Sequence, residues 1–181
     1  MRAALLAALF FCVCAPAEAA TTVLGGGSPE GRACYLAAET RDVARGLDHC
    51  NAALDEDQLS FDNRVATFVN RGILLTSARR YRAALDDFNH ALKLKPGVPE
   101  AFANRGNVYL MKGQLKSAIA DYTRAIEGHS PKLFAVYFSR GLAYEALDRI
   151  PQAIADFQAA LALNPDCAEA REALEFYHAL A

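Results

Sequence analysis

Three arginines and three aspartates recur in step along this chain: Arg71, Arg105 and Arg140 are followed, sixteen residues on, by Asp87, Asp121 and Asp156. A guanidinium presents parallel N–H groups that match a carboxylate, so this recurrence predicts three equivalent, partly buried bidentate pairs. The functional alternative is a row of arginines lining a site for anionic ligands. Such a site would not need an aspartate repeating with it, so the structural reading is the stronger. Four histidines, His49, His90, His129 and His178, lack metal-ligand spacing. No Ser/His/Asp or Cys/His set falls on matching faces of neighbouring helices, and nothing basic stands beside Cys167 to activate it. Asp55-Glu56-Asp57 reads as a solvated turn rather than a cation site, and no glycine-rich phosphate loop is present. The expectation is a protein without catalytic residues, metal or cofactor.

Helices must position these groups. The chain has 181 residues, no tryptophan and a net charge of −2 with both signs interspersed. Abundant alanine and short β-branched runs favour closely apposed helices over sheet, and no basic stripe fits a phosphate backbone, so nucleic acid is not an expected partner. Met1-Arg2, the apolar run Ala3 to Val13 and the small-residue stretch to Ala20 have the layout of a secretory signal peptide, expected over 1–20. The apolar run is shorter than the roughly 20 residues a bilayer-spanning helix needs. Cys12 and Cys14 follow Phe11 and Val13, which argues against lipidation. Residues 21–27 read as a flexible tether, and no membrane span is expected after cleavage. Localisation is expected outside the cytoplasm, in a periplasm first and secreted as the alternative. In an oxidising compartment, a pair drawn from Cys34, Cys50 and Cys167 is more naturally a disulfide than a metal or catalytic site.

The arginines and aspartates belong to a larger unit. Gly72, Gly106 and Gly141 are followed at fixed offsets by Ala84, Ala118 and Ala153, by the aromatics Phe88, Tyr122 and Phe157, and by Ala91, Ala125 and Ala160. Pro96, Pro131 and Pro165 close the units, Pro131 one residue late. A period near 34 residues marks a helical array. Small residues at fixed places let two helices approach, and the aromatic fills the gap beyond them. The pattern resembles the tetratricopeptide repeat, in the variant with Asn-Arg-Gly before its first turn: Asn70-Arg71-Gly72 and Asn104-Arg105-Gly106, with Ser139-Arg140-Gly141 departing at one place.

The resemblance implies an all-α, right-handed solenoid of helical hairpins. It divides the chain into a degenerate first hairpin (28–60), three repeats (65–98, 99–133, 134–165) and a capping helix (166–181). Ser28-Pro29-Glu30 gives a helix start, Ser60 or Asp62 can cap the next repeat, and Gly128 reads as a left-handed helix stop. Asp166 to Glu169 reads as a capping box. Each arginine is expected to meet an aspartate of its own or the adjacent hairpin. The degenerate hairpin has Ala33 and His49 at those two places and so lacks both partners. In its register Cys34 falls at the glycine position and Cys50 at the aromatic one, places that face each other in the family, which implies a Cys34–Cys50 bridge.

In that family the first helix of each hairpin lines the inner curve. Carried over, the inner face comprises Val69, Asn70, Ile73 and Ser77, then Asn104, Asn107, Leu110 and Met111, then Phe138, Leu142 and Glu145. This is an apolar wall with an asparagine row, suited to the unpaired backbone of a peptide. The basic clamp by which some relatives grip acidic tails is not matched, since Ala135 and Ser139 occupy two of its places. The functional expectation is an exported adaptor that binds a peptide segment or partner protein. The alternative is a structural subunit that stacks on copies of itself or on an envelope assembly.

Overall fold

The computed structural model describes residues 28–56 and 59–179. The expected signal peptide (1–20) and tether (21–27) lie outside the described residues, as does Asp57. Among the described residues nine helices run in order: α1 Pro29–Thr40, α2 Val43–Asp55, α3 Phe61–Ser77, α4 Tyr81–Leu94, α5 Pro99–Met111, α6 Leu115–Glu127, α7 Leu133–Ala146, α8 Ile150–Leu163 and α9 Ala168–His178. No strand occurs among them.

Consecutive helices pair as α1/α2, α3/α4, α5/α6 and α7/α8, and α9 lies against α8. Each pair also contacts the next, and the first helices α3, α5 and α7 touch their neighbours directly. What lets each pair close is a glycine set beneath a ring. A Cβ on Gly72 would lie 2.6 Å from Cε1 of Phe88, one on Gly106 2.8 Å from Cε1 of Tyr122, and one on Gly141 2.6 Å from Cε1 of Phe157. All three rings are fully buried. Only a residue without a side chain fits beneath them.

Local signals in the sequence set some of the helix ends. The Ser28 hydroxyl accepts the Gly31 N–H at 3.0 Å, with Pro29 in the first turn. Ser60 caps α3, which therefore begins at Phe61, four residues before the repeat register at Val65, and Asp62 falls inside the first turn. Two expected signals are used differently. Gly128 ends α6 at φ −81°, and the left-handed residue is His129 at φ 57°. Glycine is needed at 128 because a Cβ there would come within 2.7 Å of Pro99 Cγ. The capping box does not form at α9: Cys167 is the N-cap residue and makes no side-chain cap. Asn164 Oδ1 instead accepts the Asp166 N–H at 3.2 Å, which sets the turn one residue later.

Candidate partner-binding surface

The recurring charges meet within their own hairpins. Arg71 Nε and Nη2 donate to the two carboxylate oxygens of Asp87, both at 2.8 Å. Arg105 does the same to Asp121 at 2.7 and 2.8 Å, and Arg140 to Asp156 at 2.8 Å twice. The three aspartates are buried. The hydrogen bonds to Asp87 and Asp121 raise the pKa of Arg71 and Arg105 above the usual guanidinium value. At Arg140 burial acts most strongly and pulls downward, but the bond and charge of Asp156 outweigh it, so the net direction is again up.

Two further contacts were not singled out in the sequence. The third nitrogen of each fork, Nη1, reaches back to the preceding hairpin: Arg71 to Asn51 Oδ1 at 2.7 Å, Arg105 to Asn89 Oδ1 at 2.7 Å, and Arg140 to Thr123 Oγ1 at 3.0 Å. These acceptors all follow the aromatic-position residue, and that shared place is the signal that could have found them. Rings flank each guanidinium: Phe68 beside Arg71 (5.6 Å), Phe102 and Tyr109 beside Arg105 (5.5 and 5.9 Å), Tyr137 and Tyr144 beside Arg140 (5.5 and 5.8 Å). The arginines are fastened inside and between hairpins rather than offered to a ligand.

In the degenerate hairpin the missing pair is replaced by one of opposite arrangement: His49 Nδ1 on α2 lies 2.5 Å from Glu30 Oε2 on α1. Cys34 and Cys50 are fully buried with their sulphurs 2.14 Å apart and Cα atoms 4.7 Å apart. Cys167 is buried at the foot of α9 with Sγ 3.7 Å from Glu169.

The expected inner wall is more closed than the sequence reading made it. Val69, Asn70, Ile73, Asn104, Asn107, Leu110 and Phe138 are all buried. A buried amide must find a partner. Asn107 Oδ1 accepts the Tyr122 hydroxyl at 2.8 Å, and Asn70 and Asn104 are also partnered, so the asparagine row is not an open ladder for a peptide backbone. Phe138 packs against Phe157 with ring centres 5.6 Å apart, and Leu142 packs against the same cluster. Glu145 accepts a short hydrogen bond from Tyr177 on α9. Ser77 and Met111, at the ends of α3 and α5, remain exposed, Met111 by 45%. Tyr122 itself has its pKa pushed far up, chiefly by burial. Among the described residues no group of three or more His, Cys, Asp or Glu could hold a metal, and no helix is long and apolar enough to cross a membrane.

Hairpins stacked by repeated internal contacts define the class of α-solenoids. Within it, residues 99–127 and 134–167 match the tetratricopeptide repeat, and the fold is that right-handed solenoid. The UDP-N-acetylglucosamine–peptide N-acetylglucosaminyltransferase of Giardia intestinalis is 32% identical over 107 residues, 59% of this chain and 7% of that protein. Dynein axonemal assembly factor 4 of Rattus norvegicus is 28% identical over 103 residues, 53% of this chain and 24% of that protein. The chain thus spans less than a quarter of either relative. Among solved structures, MamA from Desulfovibrio magneticus RS-1 shares the fold at TM-score 0.66 and 20% identity, covering 82% of this chain and 84% of that one. The second tetratricopeptide domain of human RPAP3, solved with an HSP70 peptide, does so at TM-score 0.59 and 22% identity, covering 64% of this chain and 96% of that one.

Proposed function

We propose that this chain is a non-enzymatic interaction scaffold that holds a peptide segment or partner protein along its inner wall, outside the cytoplasm. The observation that carries the reading is how the polar side chains of the repeats are used. The three arginine–aspartate forks and Asn107 bind other parts of the chain itself, so the repeats build a rigid surface rather than a reaction centre. The RPAP3 domain, of the same fold, was solved with a peptide bound. The transferase relative aligns over only 7% of its length, so its activity is not carried over. Partner contact is assigned to the exposed margin of the wall, Ser77 and Met111, with the buried asparagines stiffening it from behind. Export is supported by the N-terminal sequence pattern and by the apposed Cys34 and Cys50, a pairing that oxidising compartments sustain.

The test is quantitative capture from an envelope extract by the wild type and by a Ser77→Glu/Met111→Glu variant of unchanged helicity. Loss of the same captured protein supports the reading; equal capture removes it. Intact-mass measurement of the exported product, beginning at residue 20 or 21, tests the compartment. The stacking of copies is favoured by a separate observation: Leu36, near one end of the array, and Phe176, near the other, are both about half exposed. Sedimentation that changes with concentration would support it.

A further inference from the structure

Register in the repeat fixes what each row of a helix touches. On the first helix of every full hairpin one row is buried towards the hairpin before it: Thr67, Asn70 and Leu74 on α3, Ala101, Asn104 and Val108 on α5, Val136, Ser139 and Ala143 on α7. A Cβ on Gly46 of α2 would come within 2.7 Å of Leu74 Cδ1, so the row approaches its neighbour closely. It continues on α9. Glu175 lies ten residues past Pro165, as Gly106 and Gly141 lie ten past Pro96 and Pro131. That register puts Ala170, Ala173 and Tyr177 in the row; both alanines are buried, and Tyr177 packs in the same cluster.

The two ends of the array depart from this pattern. With Cys34 at the glycine position, the same row on α1 is Pro29, Arg32 and Leu36. All three are exposed, Leu36 by 54%, and with Ser28 and Ala33 they line a shallow depression. On α9, Glu172, Glu175 and Phe176 stand where the preceding hairpin has Phe138, Gly141 and Leu142 inside the array, and all three are exposed, Phe176 by 49%. A terminal helix that only has to meet water is polar along its outer row. Each of these instead carries a large apolar residue beside charge, and the two charges are of opposite sign. Glu30, the acid nearest Arg32 in sequence, is engaged by His49, and Arg171, the base nearest Glu172, donates to the Pro165 carbonyl at 2.6 Å.

From this we infer that copies of the chain join head to tail, α1 of one against α9 of the next, with Arg32 set between Glu172 and Glu175 and Leu36 against Phe176. The inference rests on the stacking reading above and names its surface. A guanidinium suits a pair of carboxylates, and the small Ala33 beside it lets the helices approach. The contact uses a different surface on each copy, so every added copy leaves one free end and the assembly propagates. Two single helix faces bury less than about 1,200 Å², the range of weak, reversible association. A second copy fits α1 better than the residues just before it does, since 21–27 hold no acid to meet Arg32.

The experiment follows sedimentation of the protein, as its cells produce it, from micromolar to millimolar concentration, with Arg32→Glu and Glu172→Arg/Glu175→Arg as separate variants. The wild type is expected to gain mass with concentration, and less so as salt rises, as screening requires. Each variant is expected to associate about tenfold more weakly or less still, because like charges then face each other. Their equimolar mixture is expected to regain the wild-type behaviour, since every contact between the two kinds of copy again joins opposite signs. Helicity and melting should match the wild type, because the changed side chains are exposed. A mixture that stays dissociated would overturn the inference. Wild-type association that neither reversal weakens would overturn this surface and leave stacking of copies in place. A wild type monomeric at every concentration removes both, and is the outcome expected if residues 1–27 or another protein cover α1. The inner-wall reading is separate, since Ser77 and Met111 are unchanged in both variants.

Discussion

Cys34 and Cys50 meet, sulphur to sulphur, at the two places where each later hairpin sets a glycine beneath an aromatic ring. A sulphur–sulphur apposition stands where the later hairpins have a packing contact, at the same point of the unit.

Replacing both cysteines by serine should lower stability by about 3 kcal/mol, the amount expected for closing a loop of this length. Calorimetry of the oxidised protein and the variant measures it. Cys34→Gly/Cys50→Phe should recover part of the loss, because it installs the contact used elsewhere. A reduced wild type melting with the oxidised one would contradict the first statement.

Gly106→Ala places a methyl 2.8 Å from the Tyr122 ring, and the backbone of α5 or the ring must move. The expected cost is about 1–3 kcal/mol in chemical denaturation. Gly97→Ala is the control, since a Cβ at Gly97 meets nothing within 4 Å and only its φ of 104° resists substitution.

Removing one member of a fork should cost far more than its share of the pair. Asp121→Ala leaves the Arg105 guanidinium, with a side chain 18% exposed, without its carboxylate, held only by Asn89 beside two rings. About 3 kcal/mol is expected. Arg105→Leu/Asp121→Leu should cost less than the two single changes together, by about 1–3 kcal/mol in a double-mutant cycle. Additive losses would show that the fork carries no coupling.

The buried Tyr122 hydroxyl gives stability a direction in alkali. Its pKa is raised in the folded chain, so above about pH 10 the unfolded state releases a proton that the folded state keeps. The stabilisation is complete below that pH and falls as pH rises beyond it. Tyr122→Phe should flatten this alkaline limb. At pH 7 it should cost about 1 kcal/mol, for the hydrogen bond lost at Asn107. An unchanged slope above pH 10 would refute the assignment.

The hairpins were legible in the sequence because their cause is local and repeated: a glycine, an alanine and an aromatic at fixed offsets can be read without knowing what surrounds them. The Arg–Asp forks were legible for the same reason. The inner wall was not. Position along a helix puts Asn107 on the expected face, but whether that face is open depends on how closely neighbouring helices approach, which no single unit records. The acidic pattern at 166–169 misled for a related reason. Asn164, two residues upstream of it, captured the Asp166 N–H first and moved the turn.

The backward-reaching Nη1 bonds run one way only. Each of the three full hairpins leans, through its arginine, on a polar atom supplied by the hairpin before it. A chain leaving the ribosome meets these demands in order, since every acceptor has emerged before the arginine that needs it. Shortening from the carboxyl end leaves complete hairpins with their forks intact, whereas shortening from the amino end strands a guanidinium at each new boundary.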